Sequence, residues 1–244
     1  MIIIPARVAS SRFPNKVLAD INGVPMVIAT ANRVSDIDEV VIATDAKEVI
    51  DVASKYGYKA IMTSDMHKSG TDRINEAANI LGIKDDEIVI NVQADEPFIE
   101  PEVIQSIQKR ILRAKEMRED IMIVSCYKEI DSSFANDPNH VKVIMDSKEY
   151  AIYFSRSKIP YDRGEHNGYF GHLGIYGFTK KSLCEFCLLP NATLENIEKL
   201  EQLRAIYHGQ KIAMVKVESK SFGIDTKEEL ALALKLTTPK RGGV

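Results

Sequence analysis

The amino terminus reads Met1-Ile2-Ile3-Ile4-Pro5-Ala6-Arg7-Val8-Ala9-Ser10-Ser11-Arg12-Phe13-Pro14-Asn15-Lys16. The apolar run at residues 2–4 is short, β-branched and closed by Pro5, the pattern of a buried parallel strand that ends where a loop begins. The chain is therefore expected to start on a central strand. The loop that follows carries small residues punctuated by Arg7, Arg12 and Lys16. In an open parallel sheet, ligands bind in the crevice at the carboxyl ends of the strands, where Arg forks and backbone N–H groups can hold phosphate oxygens. On this stretch alone a phosphate cradle and a set of solvated loop charges both remain open. The loop matches neither the G-x-x-x-x-G-K-[ST] of a P-loop nor the G-x-G-x-x-G of a dinucleotide site, so the usual ATPase and dehydrogenase readings lose their motif.

Beyond the loop, Asn22 and Gly23 make a turn, residues 26–34 have helical spacing, and residues 40–43 are a second buried strand. A helix over 47–56 stopped by Gly57, a strand over 59–63, a helix over 71–81 stopped by Gly82 and a strand over 88–92 follow. This alternation predicts an α/β fold, a Rossmann-like, mostly parallel sheet flanked by helices. After a helix beginning near Glu102 the strands crowd together, at 121–127, 141–145 and 150–155, which predicts a smaller mixed or antiparallel lobe suited to dimerisation. Leu200, Leu203 and Ile206 form a helical stripe within 194–207, before a strand over 212–217 and a helix over 227–236. No Pro/Gly/Ser-rich linker divides the chain. We expect one domain over 1–244, with a core from about 1–120 and 190–236, the mixed lobe over 121–189 and a frayed tail at 237–244.

The 244 residues are 45% hydrophobic and 27% charged, enough to bury a sizeable core. A formal charge of −3 argues against a nucleic-acid partner, which needs a clustered positive field. Cys184 and Cys187 lie in an apolar stretch without a second ligand pair nearby, which disfavours a zinc or redox role. There is no basic leader, no cleavage site and no run long enough to span a membrane, so a cytoplasmic protein without a membrane partner is expected.

Further motifs follow the first loop in order. Residues 7–16 fit R-x-x-S-[ST]-R-[LF]-P-x-K. Then come His67-Lys68-Ser69-Gly70-Thr71-Asp72-Arg73, Asn91-Val92-Gln93-Ala94-Asp95-Glu96-Pro97, and Tyr153-Phe154-Ser155-Arg156-Ser157-Lys158-Ile159-Pro160. His172-Leu173-Gly174-Ile175-Tyr176-Gly177 and Leu200-Glu201-Gln202-Leu203-Arg204 complete the set. Together they resemble the sugar-acid cytidylyltransferases, in particular the branch that handles 3-deoxy-manno-octulosonate (KDO), over nearly the whole chain. Ala94 and Asn15 stand where that family commonly has Gly. The resemblance implies that CTP and KDO are the substrates, that Mg²⁺ is the cofactor and that the protein is a homodimer.

Asp95 follows the strand over 88–92 and so should stand at the sheet's carboxyl end, a suitable place for a Mg²⁺ ligand. Asp225 precedes the last helix and, taken alone, reads better as its N-cap. The resemblance pairs it with Asp95 as a metal ligand and makes Lys16, Asp95 and Asp225 the catalytic set. It places Ala6, Arg7, Ser11, Arg12, Lys16, Ser69, Arg73 and Gln93 on the nucleotide. Ser69 and Gln93 are short polar groups at strand exits, able to meet a cytosine edge. Arg156, whose planar fork suits a carboxylate, and His172, Tyr176, Glu201 and Gln202 are implied on the sugar. Read by themselves, Arg73 is as readily a helix-surface cation, while Glu201 is more often a helix-surface charge and His172 more often a core histidine. Two other functions stay open: CMP activation of a sialic-acid-like or amino-substituted sugar acid, and a nucleotide-binding sensor without catalysis.

Overall fold

A computed structural model describes residues 1–9, 13–164, 168–221 and 223–237. The chain opens on β1 (Ile2–Ala6), crosses a short hairpin of β2 (Asp20–Ile21) and β3 (Val24–Pro25), and enters α1 (Met26–Val34). Then come β4 (Val40–Thr44), α2 (Lys47–Lys55), β5 (Lys59–Met62), α3 (Gly70–Ile80), β6 (Ile88–Asn91) and α4 (Pro101–Met117). The second half runs through β7 (Ile123–Ile130), α5 (Ser132–Asn136), β8 (Lys142–Met145), β9 (Ala151–Ser155), β10 (Tyr169–Thr179) and α6 (Lys180–Leu188). It closes with α7 (Thr193–Glu198), α8 (Leu203–Tyr207), β11 (Ile212–Lys216) and α9 (Lys227–Thr237).

The main sheet has the strand order β11-β7-β10-β6-β1-β4-β5, with the β8–β9 hairpin joined at β10. Strands β1, β4, β5 and β6 pair in parallel, as do β7 and β11. Strand β10 is the exception and lies antiparallel between β6 and β7. As expected, the chain begins on an interior strand. Its alternating side chains serve both layers: Ile2 and Ile4 pack with α1, α2 and α4, while Ile3 faces Ile74, Ala77 and Ala78 of α3 on the other side. Burial of this strand on both faces explains why it reads as a continuous apolar run rather than an alternating one.

The stretch 121–189 carries the antiparallel pairs expected there, β10 with β7 and β8 and β8 with β9, while its strands β7 and β10 also run inside the main sheet. One expectation needs correcting. The single helix expected over 194–207 is broken into α7 and α8 by Lys199, which takes a left-handed conformation at φ 55°. The break puts Glu201 and Gln202 between helices rather than along one, which frees them to turn toward the sheet. The tail at 238–244 lies outside the described residues. No helix among the described residues is long and apolar enough to cross a membrane.

Candidate active site

The carboxyl ends of β1 and β6 open onto a cleft of about 270 Å³. Pro5, Arg7, Lys16, Val17, the 67–70 stretch, Arg73, Gln93, Ala94, Asp95 and Asp225 line it. On either side of residues 10–12, which lie outside the described residues, the Asn15 amide donates to the Val8 carbonyl at 3.3 Å and the Lys16 amide to the Phe13 carbonyl at 3.2 Å. Asn15 is left-handed, at φ 56°, a conformation that Asn tolerates better than other residues with a Cβ, which accounts for it standing in a glycine's place. Ala94, the other substitution for glycine, is buried and does not take a positive φ, so its methyl group causes no backbone strain. Gly70 marks the closest approach: a Cβ there would sit 3.1 Å from Pro5 Cγ and 3.4 Å from Gln93 Oε1.

Lys16 is the centre of charge. Its Nζ lies 2.6 Å from Asp95 Oδ2 and 2.8 Å from Asp225 Oδ1, although the lysine is only 9% exposed. Burial works to lower its pKa, but the two carboxylates together outweigh burial and hold it above the ordinary lysine value. Asp225 is available for this contact because it does not cap α9. Thr226 takes that role, its hydroxyl accepting from the Glu229 amide at 3.1 Å while Glu229 Oε2 accepts from the Thr226 and Asp225 amides at 2.9 and 2.7 Å. Among the described residues, two carboxylates and one ammonium meet at this point. Hard oxygen donors in that number suit Mg²⁺, which takes one or two carboxylates and completes its shell with phosphate and water. No cluster of three or more candidate ligands exists among the described residues, so the nucleotide would have to supply the rest.

Other residues expected on the nucleotide are distributed around this centre. Arg7 stands exposed at the cleft, and Ala6 is buried just below it on β1. Ser11 and Arg12 lie outside the described residues. The Ser69 hydroxyl caps α3, accepting from the Asp72 amide at 3.1 Å. Arg73 lines the cleft, but its guanidinium donates to Asp45 Oδ2 at 2.7 Å and Thr63 Oγ1 at 2.6 Å, which makes it a brace between α3 and the ends of β4 and β5. His67 and Lys68 also line the cleft; they were visible only as neighbours of Ser69 in its motif. Glu76 holds His67 through a short contact.

The residues expected on the sugar form a second group behind the start of α3. The Tyr176 hydroxyl donates to Gln202 Oε1 at 3.0 Å, and Gln202 Nε2 faces His172 Nδ1 at 3.4 Å. His172 Nε2 lies 2.8 Å from Ser125 Oγ, whose own proton is taken by the Ile175 carbonyl at 2.8 Å. The donors run consistently along this chain only if His172 is neutral, and burial drives its pKa down to about 3. Glu201 Oε1 accepts from Thr71 Oγ1 at 2.8 Å, whereas its Oε2 is buried with no hydrogen-bond partner among the described residues. Burial accordingly raises the Glu201 pKa. A polar relay joins the two groups: Gln93 Nε2 to Asn91 Oδ1 at 3.1 Å, Asn91 Nδ2 to Thr71 Oγ1 at 3.4 Å, and Thr71 to Glu201. Arg156 stands apart. Its guanidinium donates to the carbonyls of Glu198 at 2.8 Å and Pro138 at 3.0 Å.

Sequence reasoning missed Glu96. It is buried beside Asp95, accepts from Ser221 Oγ at 2.7 Å, and is pushed up to about 7 by burial and by the Asp95 charge. An acidic residue at a strand exit gives no local sign that it will be buried.

Comparison with known proteins agrees with the motif reading. A cytidylyltransferase family pattern matches residues 1–212. A 3-deoxy-manno-octulosonate cytidylyltransferase from a Nitratiruptor species is 58% identical over 230 residues, covering 94% of this chain and 96% of its own. One from Wolinella succinogenes is 49% identical over 240 residues, covering 97% and 98%. A solved structure of a CMP:2-keto-3-deoxy-manno-octonic acid synthetase complexed with CTP superposes with a TM-score of 0.87 at 36% identity, covering 96% of each chain.

Proposed function

Since the chain belongs to the cytidylyltransferase family, we propose that it transfers the CMP group of CTP to the anomeric hydroxyl of KDO and releases pyrophosphate. The product is the activated sugar acid used in lipopolysaccharide synthesis. The observation that carries this reading is the convergence of Lys16, Asp95 and Asp225 at the mouth of the cleft. The anomeric oxygen attacks the α-phosphorus, a new O–P bond forms, and the bond from that phosphorus to the pyrophosphate oxygen breaks.

Asp95 and Asp225 would hold Mg²⁺, which when bound neutralises phosphate charge and lowers the pKa of a coordinated hydroxyl. Lys16 keeps its positive charge in the buried site and offers it to the phosphoryl groups. Arg7 at the cleft orients the triphosphate, and Gln93 offers an amide to the cytosine edge. Glu201 Oε2, which has no donor among the described residues, suits a sugar hydroxyl. Arg156 belongs to the same reading as the partner of the KDO carboxylate, although reaching it would require its guanidinium to leave the Glu198 and Pro138 carbonyls. Exposed Ile152, Tyr161 and Phe170 on the hairpin side of the molecule support a homodimer, which sedimentation equilibrium tests.

The test of function is pyrophosphate release from CTP with and without KDO and Mg²⁺. Release only when all three are present is expected, and KDO-independent release or none at all would sink the reading. Asp225→Asn should keep its melting temperature and lose about 10²- to 10³-fold in kcat, the usual cost of deleting one preorganised electrostatic group.

A further inference from the structure

Asp225 reaches Lys16, opposite Asp95, from the segment between β11 and α9, whose described residues form no helix or strand that would hold it in place. Its backbone is instead fastened by side chains from elsewhere. Glu100, at the start of α4, accepts from the Ser219 hydroxyl at 2.6 Å and from the Lys220 amide at 2.9 Å. Lys128, on β7, donates to the carbonyls of Ser219 at 3.1 Å and Ser221 at 2.8 Å. Two further ties lead to the Asp95 stretch itself: the Ser221 hydroxyl donates to Glu96 Oε2 at 2.7 Å and the Ile224 amide to the Asp95 carbonyl at 2.9 Å.

These contacts have a common geometry. An anion takes up the donors of residues 219–220 and a cation takes up the carbonyls of 219 and 221, the first mounted at the start of α4 and the second on β7. A charged hydrogen bond to backbone is stronger and more directional than a neutral one. Lys128 is held in place even though burial penalises its charge, with Glu96 and Glu100 partly compensating.

We infer that Lys128 and Glu100 are positioning residues for the transfer reaction: by clamping residues 219–221 they deliver the Asp225 carboxylate to Lys16 and to the cation beside Asp95. This rests on the reading of Asp225 as a metal ligand. Neither residue touches the cleft, so their effect should fall on the metal and on turnover rather than on sugar binding.

The experiment uses the full chain loaded with CTP and titrates Mn²⁺ as a paramagnetic substitute for Mg²⁺, with the free ion followed by electron paramagnetic resonance. Steady-state kinetics and melting temperatures are measured on the same samples. Lys128→Ala and Glu100→Ala should each weaken Mn²⁺ binding and lower kcat by about ten- to a hundred-fold, as expected when support behind a metal ligand is lost. The KM for KDO should stay unchanged. Lys128→Arg, which keeps two donors for the same carbonyls, should recover most of both losses. If Lys128→Ala does not fold, Glu100→Ala carries the test, because it leaves the lysine contacts in place. Wild-type Mn²⁺ affinity in the folded alanine variants, with Asp225→Asn defective, overturns the clamp alone. Losses spread equally over metal affinity and the KM for KDO, with no rescue by arginine, also overturn it. Wild-type Mn²⁺ affinity and turnover in Asp225→Asn overturn the reading beneath it.

Discussion

The Thr226 hydroxyl accepts from the Glu229 amide in the first turn of α9 and the Glu229 carboxylate accepts from the amides of Asp225 and Thr226, so the cap is made without the Asp225 carboxylate, which faces Lys16. The two neighbours should therefore separate stability from activity. Thr226→Ala removes a cap and should cost about 0.5–2 kcal/mol in urea denaturation while the Lys16 contact survives. Asp225→Asn should show the reverse pattern, and a Thr226→Ala variant as inactive as Asp225→Asn would show that the roles are not divided. The sequence left Asp225 ambiguous because an acidic side chain ahead of a helix suits a cap as well as a ligand. The T-x-x-E spacing of Thr226 and Glu229 held the resolving information. Arg73 and Glu201, which sequence alone also reads as helix-surface charges, are drawn inward by Asp45 and by Thr71, partners distant in the chain. No local pattern encodes such pairings.

Among the elements, β10 bears most directly on the site, because it inserts antiparallel between β6 and β7 and places Tyr176 opposite Asn91. One of its glycines, Gly177, allows α4 to pack closely. A Cβ on Gly177 would lie 2.5 Å from side-chain carbons of both Ile107 and Ile111. Gly177→Ala should thus be destabilising by about 1–3 kcal/mol through overpacking, read as a lower denaturant midpoint at unchanged slope. A second substitution, Ile111→Val, should recover part of that loss, and a neutral Gly177→Ala would show that the helix shifts freely. The parallel strands were legible because their apolar runs are local. The place of β10 was not, since strand order and direction depend on pairing across the chain, and the repeated glycines weaken its alternation. The break at Lys199 was hidden for a similar reason: the apolar stripe of Leu200, Leu203 and Ile206 continues across it, and only the backbone reversal divides the helix.

For the whole molecule, the central placement of β1 and the approach of Lys16, Asp95 and Asp225 agree with what the first sixteen residues and the ordered motifs predict. What those motifs could not convey is how the His172 network couples the folded state to pH. The ordinary histidine pKa is 6.5, and burial brings that of His172 to about 3. Between these values the unfolded chain binds a proton at this site that the native protein does not, so stability must rise with pH across the window. The contribution is fully present above pH 6.5 and is lost as pH falls toward 3, at up to about 1.4 kcal/mol per pH unit. The hydrogen bonds give the structural cause, because a proton on Nδ1 would point at the amide donor of Gln202. His172→Gln removes the titration together with part of the network. It should be less stable than the wild type at neutral pH, and that gap should stay constant from pH 6.5 to 8 and narrow steadily from pH 6.5 to 4.5. Urea midpoints measured across the series decide the matter: parallel curves for the two proteins would mean that His172 takes up its proton in the folded state as readily as in the unfolded one.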